Sequence, residues 1–104
     1  MYFVYVIRCD DNSLYTGITT DLNKRFSQHR SKAPVAAKYT KSRQALTVEA
    51  LWSAPDRSTA QKLEYYIKKL PKSKKEQLIK DGGNLDKYMP DILDVKIYNE
   101  EPLL

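Results

Sequence analysis

The sequence predicts an α+β domain in which helices flank a three-stranded, mostly antiparallel sheet. Three observations support this fold class. The 104 residues suffice for one domain that buries a core without disulfide or metal support. Hydrophobic residues make up 41% and charged residues 30% of the chain, as in ordinary globular proteins. Periodic segments follow in the order β-β-α-β-α-α, which predicts strands and helices that share one core.

The first two elements are a predicted hairpin. Residues 2–7 are a continuous run of β-branched and aromatic residues, which is typical of a strand buried on both faces. Residues 10–13 have the composition of a turn, and residues 14–18 predict the returning strand. Gly17 lies inside this second strand, where glycine commonly marks a bulge or the close approach of another group.

A helix is predicted after the hairpin. Residues 19–21 supply N-cap side chains, and residues 22–30 continue with helical periodicity. Arg25 and His29 are four residues apart, so their side chains lie on one stripe of this helix. Residues 31–43 then form a predicted long basic loop, of a length typical of functional or mobile segments.

The second half of the chain predicts one more strand and two more helices. Residues 45–53 have the composition of a strand. Ser58 begins a capping-box pattern, and an apolar stripe follows at helical spacing as far as Pro71. A lysine-rich helix over residues 73–80 ends at the glycine pair 82–83.

The charge of the chain is unevenly distributed. Lys and Arg number 18 against 13 acidic residues, for a net charge of +5. Residues 1–80 carry +9 and residues 81–104 carry −4. The positive charge of residues 1–80 predicts an anionic partner, most commonly nucleic acid. The alternative explanation is that these lysines form a solvated surface. We divide the chain into a domain over residues 1–89 and an acidic tail over residues 90–104, which either packs on the domain or is disordered.

The composition also excludes several classes of protein. No uncharged stretch exceeds nine residues, so no membrane helix and no membrane partner are expected. One cysteine and one histidine cannot form an internal disulfide or a zinc finger. The N-terminus lacks the pattern of a secretory signal. We therefore expect a cytoplasmic monomer.

Two tyrosines on the paired strands resemble the signature of the GIY-YIG nuclease superfamily. Tyr5 lies in the tripeptide VYV, which keeps only the tyrosine of the first half of that signature. Tyr15 lies in YTG, which keeps the tyrosine and, at Gly17, the glycine of the second half. Eight tyrosines beside two phenylalanines also indicate that some phenol groups serve an interface or a reaction.

The resemblance continues along the chain over residues 2–70. Arg25 falls where the family has its helix arginine, and His29 follows at the offset that many members show. Glu64 looks like the family's metal-binding glutamate, on the helix after the third strand. The whole chain looks like the small stand-alone GIY-YIG proteins of bacteria.

What the resemblance implies is a metal-dependent DNA endonuclease. Tyr5 would be the general base, and its pKa would have to be lowered by Arg25 and the metal. Arg25 would hold phosphate oxygens, and Glu64 would hold one divalent cation, Mg²⁺ or Mn²⁺. Tyr15 and His29 would orient the water or relay its proton.

Further residues are candidates for binding nucleic acid. Gly17 would keep the strand thin so that a phosphate can approach. The basic loop offers phosphate contacts and one stacking aromatic, with the residues Lys38, Tyr39, Lys41 and Arg43. Lysines around Pro71 either extend this surface or form a solvated face, namely Lys68, Lys69, Lys72, Lys74, Lys75 and Lys80. Trp52, Tyr65 and Tyr66 are assigned to packing.

Each site residue also has an ordinary structural explanation. The two tyrosines can be core aromatics, the helix arginine and histidine a solvated face, and Glu64 can form a surface ion pair with Lys68. The concurrence of the whole set, in order and on the expected elements, favours the functional interpretation.

Three functions follow from these patterns. The first is an endonuclease acting in DNA repair or recombination, structure- or damage-selective because 104 residues leave no room for a second DNA-reading domain. A protein partner is another way to guide it, and RNA remains open as a substrate. The second is a non-catalytic nucleic-acid-binding module that retains the fold. The third is a protein-interaction module whose acidic tail folds back on the basic face or recruits a partner.

Overall fold

The computed structural model describes residues 1–32 and 43–103. These residues form four strands and three helices, and the α+β class agrees with the prediction. In chain order they are β1 (Tyr2–Cys9), β2 (Leu14–Thr19), α1 (Leu22–Ser31), β3 (Ala45–Ala54), α2 (Arg57–Lys69), α3 (Lys72–Lys80) and β4 (Asn99–Glu100). Two 3₁₀ turns, Leu85–Lys87 and Val95–Ile97, lie between α3 and β4. Within the described ranges, no helix has the length and apolar character needed to cross a membrane.

The sheet has four strands in the order β2-β1-β3-β4, and all neighbouring strands are antiparallel. The prediction of three strands was therefore wrong by one. The missed strand, β4, has only two residues, and its pairing of Glu100 with Trp52 and Asn99 with Ser53 leaves no periodic pattern in the sequence. The hairpin of β1 and β2 is confirmed, and it pairs Tyr5 with Gly17.

Strand β1 lies at the centre of the sheet and separates two cores. Its even-numbered residues, among them Val4 and Val6, face the core beneath α2 and α3. Its odd-numbered residues, among them Tyr5 and Ile7, face the second cluster, against which α1 packs. Because successive side chains of a strand point to opposite faces, the tyrosines of the hairpin share the face that α1 covers.

The N-cap of helix α2, Asp56, lies two residues before the predicted cap. The Asp56 carboxylate accepts a hydrogen bond from the Thr59 backbone N–H at 2.9 Å, and the Thr59 hydroxyl accepts one from the Asp56 N–H at 3.3 Å. The expected cap at Ser58 was therefore wrong, since Asp56 already forms a complete capping box. This start directs Leu63 and Ile67 into the core and leaves Glu64 beside the edge strand β2, against which α2 packs.

The acidic C-terminal segment packs on the domain over its described residues. Leu93 and Tyr98 belong to the main core, and the Tyr98 hydroxyl donates to the Thr59 carbonyl at 2.6 Å. Strand β4 lies at the edge of the sheet opposite β2. A truncation at Pro90 would therefore remove core side chains, so the charge of this segment is better tested by substitution.

Candidate active site

A buried tyrosine–histidine pair lies at the centre of the candidate site. Tyr5 on β1 and His29 on α1 are 1% and 0% exposed, and the Tyr5 hydroxyl lies 2.9 Å from His29 Nε2. His29 is the one buried residue of α1. The Tyr15 ring completes the group, with its centroid 5.3 Å from the His29 ring and 6.3 Å from the Tyr5 ring.

Gly17 makes room for the Tyr5 phenol. A Cβ atom at this position would lie 2.7 Å from Tyr5 Cζ, closer still to the Tyr5 oxygen, and 3.1 Å from Cε2 of Tyr15. Distances below about 3.0 Å are not found for real Cβ atoms. The space above this glycine therefore holds the Tyr5 phenol. The approach of a phosphate at Gly17 stays a prediction.

Arg25 approaches the same phenol from one turn earlier on α1. Its guanidinium hydrogen-bonds the Tyr5 hydroxyl, and its Nη1 donates to Gln28 Oε1 at 3.2 Å. An open, polar cavity of about 380 Å³ adjoins it. The cavity is lined by Thr19, Thr20, Asp21, Lys24, Arg25 and Gln28. A planar cation beside an open polar cavity suits an oxyanion such as a phosphate.

Glu64 reaches the site from α2. Its charge acts on the Tyr5 phenol, and its Oε2 lies 3.3 Å from Lys68 Nζ. Lys68 Nζ also lies 5.8 Å from the centroid of the Tyr15 ring. The sequence predicts Lys68 as an ion-pair partner of Glu64 and as one of the lysines around Pro71. Its contact with Tyr15 is not predictable from the sequence, because it depends on how α2 packs against β2.

The structure thus brings together the five predicted catalytic residues. Of the predicted nucleic-acid contacts of the basic loop, Lys38, Tyr39 and Lys41 lie outside the described residues. Arg43 is described, and its Nε lies 2.7 Å from Asp11 Oδ2 at the hairpin turn.

Two of the residues assigned to packing behave as predicted and one does not. Trp52 is fully buried, and its Nε1 donates to the Gly82 carbonyl at 2.8 Å. Tyr66 is half-buried against the main core. The assignment of Tyr65 to packing was wrong, because 53% of this residue is exposed.

Burial sets the protonation states of the central pair. It raises the pKa of Tyr5 to about 12, and the hydrogen bond from Arg25 opposes this shift without overcoming it. Burial also lowers the pKa of His29 to about 4, with a smaller contribution from the charge of Arg25. The expected lowering of the Tyr5 pKa is therefore not produced by the protein's own groups, and at neutral pH Tyr5 is protonated and His29 is neutral.

We assign a direction to the hydrogen bond between the two residues from these states and from the contact of Tyr5 with Arg25. The Tyr5 oxygen already accepts from Arg25, so its O–H is assigned as the donor to Nε2 of His29. His29 then carries its own proton on Nδ1. In this arrangement His29 Nε2 is already hydrogen-bonded to the Tyr5 hydroxyl and can accept the proton that leaves it.

Glu64 is also the candidate cation ligand. Among residues 1–32 and 43–103, no three His, Cys, Asp or Glu side chains are grouped so as to hold a metal ion. A single carboxylate nonetheless fits Mg²⁺, which is commonly bound through one or two carboxylates, with water and substrate phosphate completing its coordination. The donor set therefore fits a cation that binds together with a phosphate.

A family model identifies the class to which this fold and site belong. The model of the GIY-YIG catalytic domain matches residues 1–77. The chain therefore belongs to the GIY-YIG family, a family of endonucleases that act on nucleic acid and generally use a divalent metal.

Within that class the chain is similar to the UPF0213 proteins. The UPF0213 protein FN1575 of Fusobacterium nucleatum is 38% identical, over 92% of this chain and 94% of its own length. The UPF0213 protein YhbQ of Escherichia coli is 40% identical, over 95% and 97%. The solution NMR structure of the UPF0213 protein BH0048 from Bacillus halodurans is 41% identical, covers 77% of this chain and 84% of that one, and superposes with a TM-score of 0.49.

The buried neutral histidine predicts a loss of stability in acid. The pKa of His29 is about 4 when folded and 6.5 ordinarily, so the unfolded chain binds more protons between these values. The stabilisation is complete above about pH 6.5 and falls as the pH drops toward 4. Between pH 7 and 4.5, we expect wild type to lose about 2 kcal/mol more than His29→Gln, measured by urea unfolding. Equal losses in the two proteins would contradict this origin of the acid sensitivity.

Proposed function

We propose that the protein is a metal-dependent DNA endonuclease that hydrolyses phosphodiester bonds at this site. The observation that supports it most is the convergence of five groups from four elements around one buried hydrogen-bonded pair. Those groups are Tyr5, Tyr15, Arg25, His29 and Glu64. If Tyr5 were only a core residue, or Glu64 only part of a surface ion pair, neither would need the other four groups beside it.

In this proposal the proton of the attacking water passes through the central pair. The Tyr5 oxygen takes the proton from water while its own proton moves to His29 Nε2. The resulting hydroxide forms the bond to phosphorus, and the 3′-oxygen leaves. An imidazolium at this buried position needs nearby negative charge, because burial lowers the pKa of His29 to about 4. The phosphate of the substrate supplies that charge only when the substrate is bound.

Arg25 and Glu64, which both interact with the Tyr5 phenol, act on the phosphate in different ways. The Arg25 guanidinium holds nonbridging phosphate oxygens and stabilises the charge that develops on them. A divalent cation bound at Glu64, Mg²⁺ or Mn²⁺, would neutralise a phosphate oxygen and the departing 3′-oxygen. Lys68 keeps the Glu64 carboxylate oriented until that cation and the substrate bind.

The charged side chains at the site indicate which part of a nucleic acid the protein contacts. A guanidinium, a lysine and a carboxylate suit the phosphate backbone, which carries no direct sequence information. We therefore propose that selection depends on the structure of the nucleic acid, or on damage to it, and not on base sequence.

One observation favours a second candidate, a nucleic-acid-binding module without catalysis. Burial raises the pKa of Tyr5 to about 12, which makes the phenol harder to deprotonate at neutral pH. A module that only binds would keep Arg25 and the basic surface and would not need the proton transfer.

The two candidates are separated by nicking of supercoiled plasmid with Mg²⁺ or Mn²⁺. We expect wild type to nick the plasmid, EDTA to stop the reaction, and Glu64→Gln to lower the rate at least 100-fold. Asp91→Asn, an exposed carboxylate elsewhere, is the matched control and should retain wild-type activity.

Other outcomes decide against the proposal in distinct ways. Cleavage that survives in Glu64→Gln would remove the assigned cation site. No cleavage by wild type, together with salt-sensitive DNA binding that Glu64→Gln retains, would establish the binding module instead.

A further inference from the structure

The exposed side of helices α2 and α3 carries a concentrated positive charge that the proposed reaction does not use. Residues 57–80 contain eight basic and two acidic residues, so this quarter of the chain is more positive than the chain as a whole. One of the two acids, Glu76, is already bound by Arg8 of β1 through two hydrogen bonds of 2.9 and 2.6 Å. Within the two helices, Lys68 lies 3.3 Å from Glu64 and Lys72 lies 3.7 Å from Glu76. The two acidic residues are outnumbered by the eight basic ones, so the surface keeps a net positive charge.

An exposed aromatic side chain lies within this positive surface. Tyr65 is 53% exposed and lies off the apolar stripe by which α2 packs on the core. Lys69 Nζ lies 4.6 Å from the centroid of the Tyr65 ring. The Tyr66 ring meets the Tyr65 ring nearly at right angles, with centroids 5.2 Å apart, and so supports it from the protein side.

This surface begins at the candidate active site. Tyr65 follows Glu64 directly on α2, just as Lys69 follows Lys68. Adjacent helical residues point about 100° apart. Glu64 and Lys68 therefore point toward Tyr5 and Tyr15, whereas Tyr65 and Lys69 point outward. A strand whose phosphate lies at Glu64 would therefore pass over Tyr65 with its neighbouring nucleotides.

We propose that Tyr65 stacks an unpaired base of the substrate while Lys69 binds a phosphate of the same strand. The inference rests on the proposed function, and it specifies the substrate as DNA with a single-stranded segment next to the cleaved bond. Exposed aromatic rings with adjacent cations are the combination that binds single strands, because every base offers a flat face. A base inside a duplex hides that face against its neighbours, so Tyr65 selects against fully paired DNA.

The test measures binding without divalent metal, so that it does not depend on cleavage. The probe is a duplex with a single-stranded flap that carries 2-aminopurine, whose fluorescence is quenched on stacking, and a fully paired duplex is the reference. We expect wild type to quench the flap base and to prefer the flap. Tyr65→Ala should lose the quenching and about tenfold in affinity for the flap, whereas Tyr65→Phe should keep both.

The phosphate contact of Lys69 is tested by the salt dependence of the same binding. Lys69→Ala should reduce the slope of log affinity against log salt by about 0.7, the value for one phosphate contact on a single strand. Lys96→Ala, an exposed lysine near the opposite edge of the sheet, is the matched control and should leave the slope unchanged. Circular dichroism would reveal whether Tyr65→Ala folds. If it does not, the salt dependence of binding by Lys69→Ala still tests the inference.

Quenching or flap preference that survives in a folded Tyr65→Ala would overturn the stacking site. Equal slopes for Lys69→Ala and wild type would overturn the phosphate contact and identify a solvated lysine surface. If plasmid nicking fails while these binding results are obtained, the nuclease proposal fails and the single-strand surface stands.

Discussion

Arg25→Ala is expected to lower the rate constant of cleavage by about 10³-fold, which is in the range for removal of one group that stabilises transition-state charge. Arg25 contacts the Tyr5 phenol and also lines the open polar cavity. Its loss would remove both the phosphate contact and the hydrogen bond that favours the deprotonated phenol. Single-turnover cleavage of a flapped oligonucleotide with saturating Mg²⁺ measures the effect.

A conservative variant separates the charge of Arg25 from its shape. Arg25→Lys keeps the cation but loses the planar fork, so we expect it to recover only part of the lost rate. Arg30→Ala removes an exposed arginine from the same helix and should cleave as wild type does. A rate for Arg25→Ala within a factor of three of wild type would contradict the assigned role.

The same variants have a readout that does not require activity. The chain has one histidine, so proton NMR gives a single imidazole titration. Arg25 contributes to the lowering of the His29 pKa to about 4 after burial, which is the larger cause. Arg25→Ala should therefore raise this pKa part of the way toward 6.5. An unchanged titration would mean that Arg25 does not lie beside the central pair in solution.

Local sequence patterns account for the order of the elements and for part of the candidate site. The alternation along β1 and β2 and the turn between them determine that Tyr5 and Tyr15 share a face of the sheet. The four-residue spacing of Arg25 and His29 determines that both lie on one stripe of α1. The family resemblance then supplied Glu64, whose position depends on how α2 packs.

What the sequence left out depends on contacts between distant segments. Strand β4 is too short for a pattern, and its pairing with β3 follows from the way Leu93 and Tyr98 complete the core. The direction of the Tyr5 pKa shift depends on competition between burial and Arg25, and α1 must be docked before either is known. The assignment of Tyr65 to packing rested on residue type, because aromatic side chains are usually buried, whereas its position off the apolar stripe of α2 already favours exposure.

Gly17→Ala is expected to inactivate the site from a position that carries no reactive group. Its Cβ would lie 2.7 Å from Tyr5 Cζ, on a buried ring held between two strands and a helix. The phenol would have to shift by several tenths of an ångström, and a shift of that size breaks its 2.9 Å contact with His29. We expect a loss of about 100-fold in cleavage rate and about 1–3 kcal/mol in stability from overpacking.

Gly83→Ala is the matched control for this substitution. A Cβ at position 83 would meet one Glu100 oxygen at 3.5 Å, which is ordinary contact, so stability and cleavage should remain near wild type. The NMR titration of His29 separates displacement from general destabilisation, because a displaced phenol changes the environment of the imidazole even where the protein remains folded. Wild-type cleavage by a Gly17→Ala protein whose His29 titration has changed would mean that the reaction does not need the undisplaced pair, and the proton path through Tyr5 and His29 would have to be abandoned. An unchanged titration would contradict the expected displacement of the phenol.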